Sequence, residues 1–344
     1  MIYFKNDYSE GAHPKILEKL NETNLVQDKG YGNDQYSNQA RALIKKKINN
    51  AAADVHFISG GTQANLTILG SILRPHESVI APETGHICVH ETGAIEATGH
   101  KINTVKTLNG KLTPELIKPV LIAHEDEHMV KPKLVFISNS TEIGTHYTKN
   151  ELEKLSEFCK ENDLYLYLDG ARLGSALSVK DCDLTLESLS SYVDAFYIGG
   201  TKNGALLGEA IVLMNDDFKE NFRFHLKQRG GLLAKGRLIA IQFLELFEDN
   251  LYFDLAKHAN EMAGLMADAI KSHGFDFLTE STTNQIFPIL PNAVISALEK
   301  NYEFYVWSKE TKETSSLRLV TSWATTKENV KAFIHDLEAA VKKM

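Results

Sequence analysis

Cysteine is scarce. The 344-residue chain carries three, Cys88, Cys159 and Cys182, far apart and in no Cys-x-x-Cys or Cys/His grouping. That pattern speaks against a disulfide framework and a structural zinc site, and it fits a reducing compartment. Basic charge is also in deficit. Lys and Arg total 37 against 45 Asp and Glu, a net charge of −8, which argues against nucleic acid or an anionic membrane as the main partner. No apolar run is long enough to span a bilayer. The opening residues, Met1-Ile2-Tyr3-Phe4-Lys5-Asn6-Asp7, lack the basic-then-apolar order of a secretion signal. The expectation is a soluble cytoplasmic protein. The sequence shows no internal repeat and no low-complexity linker, so a domain boundary has no compositional marker. What is present, 43% hydrophobic and 24% charged residues, is a globular composition. The length is too great for one small core.

Apolar, strand-like runs fall at 55–58, 79–81, 101–105, 134–138, 164–168, 193–198 and 210–214, with helical patterns at 63–73 and 149–162 between them. Strands alternating with helices predict an α/β fold with a mostly parallel sheet covered on both faces. Ligands then sit at the carboxyl ends of the strands. Ser59-Gly60-Gly61-Thr62, His86, Asn139, Asp169 and Lys202 all stand just after such runs. Residues 28–37 read as a loop, 39–48 as a helix and 232–248 as a long helix. Past residue 250 the pattern changes to strands at 275–278, 285–290, 304–307 and 316–322, with helices at 253–272, 292–300 and 327–343. This predicts a large domain over 1–250, with an N-terminal arm at 1–14, and a smaller α+β domain over 251–344.

The most informative stretch is Tyr197-Ile198-Gly199-Gly200-Thr201-Lys202-Asn203-Gly204-Ala205, between two apolar runs. Burial lowers a lysine pKa, and a neutral amine attacks carbonyls, as a Schiff-base lysine must. A solvated turn lysine is the plainer reading. Asp169, in Asp169-Gly170-Ala171-Arg172, ends a buried strand, where a lone carboxylate is costly. A pyridinium nitrogen is a natural partner, and pyridoxal phosphate (PLP) sites pair such a carboxylate with a Schiff-base lysine. A helix cap or an ion pair with Arg172 is the alternative. Ser59-Gly60-Gly61-Thr62 between strand and helix is an arrangement that binds phosphate, or else an ordinary connection.

Taken together, Tyr31-Gly32-Asn33-Asp34, Ser59 to Asn65, His86 with Glu91-Thr92-Gly93-Ala94, Asn139-Ser140, Asp169 to Arg172, residues 199–205, Gly230-Gly231 and Arg318-Leu319-Val320-Thr321 resemble the threonine aldolase and β-eliminating lyase family. That family lies within the PLP-dependent fold-type-I superfamily, with a large domain built on a mostly parallel seven-stranded sheet. The resemblance runs from about Asn6 to Ser322. It implies that Lys202 holds PLP through a Schiff base, that Asp169 meets the ring nitrogen and that His86 stacks on the ring. Gly60, Gly61 and Thr62 would take the phosphate, assisted by Thr201 and by Lys227 from a neighbouring subunit. Arg318 and Asn6 would contact the substrate carboxylate, and Arg172 that carboxylate or the phenolic oxygen of the cofactor ring; Asn6 stands where the family commonly has serine. His86 and His128 are candidates near the substrate hydroxyl. Read from its surroundings alone, His128 sits in a charged, solvated segment, Lys227 is a helix-surface residue, and Arg318 could form a structural ion pair. The implied activity is retro-aldol cleavage of a β-hydroxy-α-amino acid, L-threonine or L-allo-threonine, to glycine and acetaldehyde, with phenylserine cleavage or β-elimination as the rival. The implied assembly is a homo-oligomer, dimer or tetramer, with shared active sites.

Overall fold

The structure is a computed structural model that describes residues 1–343. The chain opens on a two-residue strand, β1 (Ile2–Tyr3), followed by α1 (Pro14–Thr23) and α2 (Gln35–Lys47). An alternating stretch follows: β2 (Asp54–Ile58), α3 (Gly61–Ile72), β3 (Glu77–Pro82), α4 (His86–Val89), β4 (Ile102–Val105), α5 (Pro114–Ile122), β5 (Lys131–Ser138), α6 (Lys149–Glu161) and β6 (Tyr165–Asp169). Short helices α7 (Leu173–Leu177) and α8 (Leu186–Ser190) lead to β7 (Ala195–Gly199) and β8 (Glu209–Leu213). Then come α9 (Phe222–Gln228), α10 (Arg237–Glu248) and the long α11 (Leu251–Ser272). The C-terminal part holds β9 (Gln285–Ile286), β10 (Ile289–Pro291), α12 (Asn292–Leu298), β11 (Tyr302–Glu303), β12 (Tyr305–Lys309), β13 (Thr314–Val320) and α13 (Lys327–Val341).

Strands β2 to β8 form a seven-stranded sheet in the order β2-β8-β7-β6-β5-β3-β4. β8 runs antiparallel to both its neighbours and the other pairs are parallel. The connection from β7 to β8, residues 200–208, is short, and only an antiparallel neighbour can be reached that way. Alternate residues along each strand enter different cores. Val135, Ile137, Phe196 and Ile198 join one, with Leu152, Leu155 and Phe243; Leu134, Phe136, Ala195 and Tyr197 join the other, with Ile68, Leu69 and Phe222. Both faces are therefore covered, and every residue of β3, β7 and β8 is buried.

The C-terminal strands form an antiparallel sheet, β10-β13-β12, with β9 also paired to β13. The N-terminal arm reaches this unit: β1 pairs in parallel with β11, and Phe4, fully buried, packs in its core against Tyr302 and Phe333. Long-range pairing of two residues leaves no periodic signal in a sequence.

Four local expectations are corrected. α2 begins at Gln35 rather than 39, because the Asp34 side chain accepts a hydrogen bond from Ser37 N and caps the helix early. The helix expected from 232 begins at Arg237; the carbonyl of Ala234 instead accepts a hydrogen bond from the amide of Tyr31. Residues 275–278 form no strand, only an isolated bridge between Phe277 and Pro288. Pro288 has no amide hydrogen to extend that ladder, and it also splits the expected 285–290 strand in two.

Phe4 closes the small core over the arm. Phe4→Ala should lower stability by about 3–5 kcal/mol, the usual cost of such a cavity, read as a lower urea midpoint. An unchanged midpoint would show that the arm is not anchored there.

Candidate active site

The parallel strands deliver their carboxyl ends to one edge of the sheet, and most of the residues singled out from the sequence meet there. β2 leads to Ser59–Thr62, β3 to His86, β5 to Asn139, β6 to Asp169–Arg172 and β7 to Lys202. Two adjoining cavities share Tyr8, His86 and Lys202. The larger, about 430 Å³, is lined also by Arg172, Arg318, Glu142 and the aromatic side chains of Tyr305 and Trp307. The smaller, about 330 Å³, is lined by Ser59, Gly60, Gly61, Thr62, Thr201 and Glu209.

Lys202 sits in the β7–β8 hairpin loop. Burial, then the neighbouring Arg172 charge, lowers its pKa, while Asp7, Asp169 and Glu209 oppose the shift. A lysine so placed favours the neutral, nucleophilic amine. Its loop is pinned by Glu209, whose carboxyl accepts hydrogen bonds from Gly200 N and Thr201 Oγ1, both at 2.9 Å. Thr201 Oγ1 in turn accepts from Gly208 N, so that hydroxyl serves the loop first. Burial pushes the Glu209 carboxyl up to about 8 in spite of those hydrogen bonds. Gly199 is required by close packing: a Cβ there would collide with the carbonyl of Ala171.

Asp169 lies beneath the cavities, 3% exposed. Its Oδ1 accepts from Tyr197 OH at 2.5 Å and Ala171 N at 3.0 Å, and its Oδ2 accepts from Asn65 Nδ2 at 3.1 Å. Burial, then the Asp169 charge, raises the Tyr197 pKa far above the phenol range, so that hydroxyl remains a donor. The same Asn65 amide donates to Glu91 Oε1 at 2.6 Å, and Glu91 Oε1 bonds His86 Nδ1 at 2.7 Å. Asp169 and His86 thus belong to one buried chain, oriented from below. The first turn of α3 carries amides with no intrahelical partner, and Gly60 opens on free space where a side chain would intrude. Ser59 Oγ donates to Gln63 Oε1, and Gln63 Nε2 donates to Arg229 O, tying this cradle to the 229–231 segment.

Two guanidinium groups face the larger cavity. Arg172 donates to Asp7 through Nε at 2.7 Å and Nη2 at 3.0 Å. Arg318 donates from Nε and Nη2 to Gln285 Oε1 and lies near the rings of Tyr305 and Trp307. Burial, then repulsion from Arg172, pushes Arg318 down to about 10. Arg172 is already matched by Asp7, so Arg318 is the guanidinium left for an anion, and a carboxylate fits its fork.

Three sequence candidates lie apart from these cavities. His128 is exposed in the turn before β5, at the amino end of that strand and so at the opposite edge of the sheet from Lys202. It lines neither cavity of this chain. Asn6 lines neither cavity; its Oδ1 accepts from Tyr8 N and Ser9 Oγ, so it shapes the turn that presents Tyr8. Lys227 is exposed on α9, with Nζ over the ring of Tyr31 at 4.6 Å. The residues missed from the sequence are Asp7, Glu142, Glu209, Asn65 and Gln285. Asp7 adjoins Asn6 and Glu142 closely follows Asn139, but neither position carries a periodic or compositional signal.

A half-buried lysine in a hairpin loop, a buried carboxylate held below it and a helix-terminus cradle beside it define a PLP-type site on fold type I. The donor set fits that cofactor: amides for a phosphate, an amine for an aldehyde, a buried carboxylate for a ring nitrogen. The chain belongs to the beta-eliminating lyase family, whose model matches residues 8–292. It is 32% identical over 97% of its length to the low specificity L-threonine aldolase of Pseudomonas aeruginosa, covering 96% of that protein. It also resembles the solved threonine aldolase of Leishmania major, at 48% identity and TM-score 0.98, over 99% of this chain and 100% of that one. A Thermus thermophilus aspartate aminotransferase matches at TM-score 0.73 and 14% identity, over 99% of this chain and 91% of that one; this likeness is one of fold alone.

The Asp7–Arg172 pair supplies a test by pH. Burial raises the Asp7 pKa, but Arg172 and Lys202 outweigh it and hold the carboxyl below its ordinary 3.8. The pair's stabilisation should be complete above that value and lost as pH falls through the lower folded-state value. Asp7→Asn should cost about 3–5 kcal/mol at neutral pH by stranding a buried guanidinium, measured by urea unfolding. A loss below 1 kcal/mol would remove the pair's structural role.

Proposed function

We propose that this chain is a PLP-dependent lyase that cleaves L-threonine and L-allo-threonine to glycine and acetaldehyde. The observation that carries the reading is the convergence of half-buried Lys202, buried Asp169 and the α3 cradle on cavities walled by Arg172 and Arg318. Lys202 would hold the cofactor aldehyde, Asp169 the ring nitrogen, His86 the ring face, and Gly60, Gly61 and Thr62 the phosphate. Bound there, PLP supplies a sink for the electron pair released when a bond to Cα breaks.

The rest is the work of the chain itself. Arg318 grips the substrate carboxylate and orients the amino acid, and the Gln285 carboxamide holds the guanidinium still. Arg172, fixed by Asp7, adds positive charge on the same side. Glu91 holds His86 by one ring nitrogen, fixing the plane of the imidazole. Tyr8, Tyr305 and Trp307 wall the larger cavity; this aromatic lining favours phenylserine as a second substrate.

We infer a cytoplasmic homo-oligomer with shared sites. Support comes from the free cysteines and from exposed Leu25, Leu206 and Phe224, Leu206 adjoining the cavity residue Leu207. Lys227 would serve the phosphate of a neighbouring subunit. The division into domains near residue 250 is part of the same reading.

Acetaldehyde followed with a coupled reductase, from L-threonine and L-allo-threonine separately, tests the activity; silence from both with cofactor bound would overturn it. Lys202→Ala should abolish turnover and the borohydride-fixed cofactor; full activity would overturn the site. Arg318→Lys should raise KM for L-threonine about ten- to a hundredfold through loss of the forked charge-assisted contact. The bound-cofactor absorbance should stay unchanged, and an unaltered KM would place the carboxylate elsewhere.

A further inference from the structure

Cleavage of a β-hydroxy amino acid needs a group that takes the hydroxyl proton. We propose that Glu142 is that group, accepting the β-hydroxyl proton at Oε2; this rests on the cleavage reading above.

Glu142 stands in the loop after β5, beside the end of β6, since Ser138 and Asp169 are register partners. It lines the same cavity as Lys202, Arg172, Arg318 and His86. Its Oε1 is anchored twice, accepting from Ser138 Oγ at 2.7 Å and from the amide of His86 at 3.0 Å. Its Oε2 is enclosed and has no hydrogen-bond partner among the described residues. Oε1 is therefore fixed, and Oε2 is a closed-off acceptor without a donor, a costly condition that is relieved when the carboxyl moves toward the cavity with a donor in reach. A substrate hydroxyl relieves it; an apolar group cannot.

The other basic groups of the cavity are less suited. His86 gives Nδ1 to Glu91, and a ring held for stacking presents its face to the cofactor. Burial, then the charge of His86, pushes the pKa of His90 down, making it a poorer proton acceptor. Burial and next the Asp169 charge raise the Glu142 pKa, against the opposing hydrogen bond of Ser138 and the charge of His86. Arg172, Cys88 and Tyr147 also feel the Glu142 charge. The carboxylate is thus a stronger base than that of a free glutamate.

The step balances. The substrate O–H bond breaks, and its electron pair becomes the second bond of the aldehyde carbonyl. The Cα–Cβ pair is drawn to the Cα side, into the sink that PLP supplies. The proton taken onto Oε2 passes to water, and a proton from water reaches Cα to complete glycine, so none is gained or lost overall.

Glu142→Gln keeps the size and the Oε1 acceptor but removes the base. With the PLP-loaded enzyme, kcat for L-threonine should fall about a hundredfold or more, the scale of a lost general base. The bound-cofactor absorbance and the Kd for glycine, which has no β-hydroxyl, should hold within about twofold, which separates this role from a structural one. A kcat within about fivefold of the parent overturns the proposal, and so does a glycine Kd weakened about tenfold or more.

The unaltered enzyme gives a second measurement that does not depend on the variant folding. The acid limb of its kcat/KM profile should lie above the ordinary glutamate value of 4.5 and barely move with temperature, as a carboxyl does. A limb that shifts down on warming, as an imidazole does, assigns the proton to His86 and overturns the proposal. Acetaldehyde from the parent with an equally active Glu142→Gln removes this inference alone. A parent that releases none removes the cleavage reading with it.

Discussion

The Asp7–Arg172 ion pair is the contact on which the parts of this molecule meet. Asp7 belongs to the N-terminal arm, Arg172 follows the end of β6, and Asn284, which also donates to Asp7 at 2.9 Å, belongs to the C-terminal unit. All three are largely removed from solvent. A carboxylate buried this way survives only with its charge matched and its oxygens bonded. Satisfying it therefore holds arm, sheet and small unit in one arrangement. Phe4, packed on Tyr302 and Phe333, carries the arm to where Asp7 can make the pair.

A second constraint is electrostatic. Arg172, Arg318 and Lys202 share one cavity, and burial, then the charge of Arg172, raises the cost of protonating both Lys202 and Arg318. Lys202 responds by favouring the neutral amine and Arg318 by a pKa of about 10. The cavities are thus suited to anions, one at the α3 terminus and one at the Arg318 guanidinium. Beneath it the logic is reversed. Asp169, Asn65, Glu91 and His86 are joined by hydrogen bonds of 2.6 to 3.1 Å, which fix orientation and leave little freedom. The same chain that holds Asp169 also holds His86, so the ring nitrogen contact and the stacking surface are set together.

Polar satisfaction is uneven across this edge of the sheet. Asp169 receives three hydrogen bonds, whereas one oxygen each of Glu91 and Glu142 has no partner among the described residues. Both carboxyls touch His86, one through the ring and one through the amide. Satisfied groups build the floor, and an unsatisfied one on the wall is where a ligand has something to add.

The reach of the sequence follows from physical range. Strand and helix periods, the buried-strand position of Asp169, the glycine-flanked Lys202 and the strand–turn–helix at Ser59–Thr62 are local patterns. The rule that ligands sit at strand carboxyl ends turned those patterns into a site. Arg318 was legible only through the resemblance, because an arginine in a strand is locally ambiguous. Tertiary structure alone decided that Asp7, Glu142, Glu209 and Gln285 belong to the site, since each earns its place from partners distant in sequence or from burial. It also placed His128, whose surroundings in sequence are charged, at the far edge of the sheet, away from both cavities of its own chain. The register of β1 on β11, the late start of α10 and the break at Pro288 were likewise settled by which backbone groups found partners. Local chemistry is written in the order of the residues; which charges are buried together is decided only when the chain closes on itself.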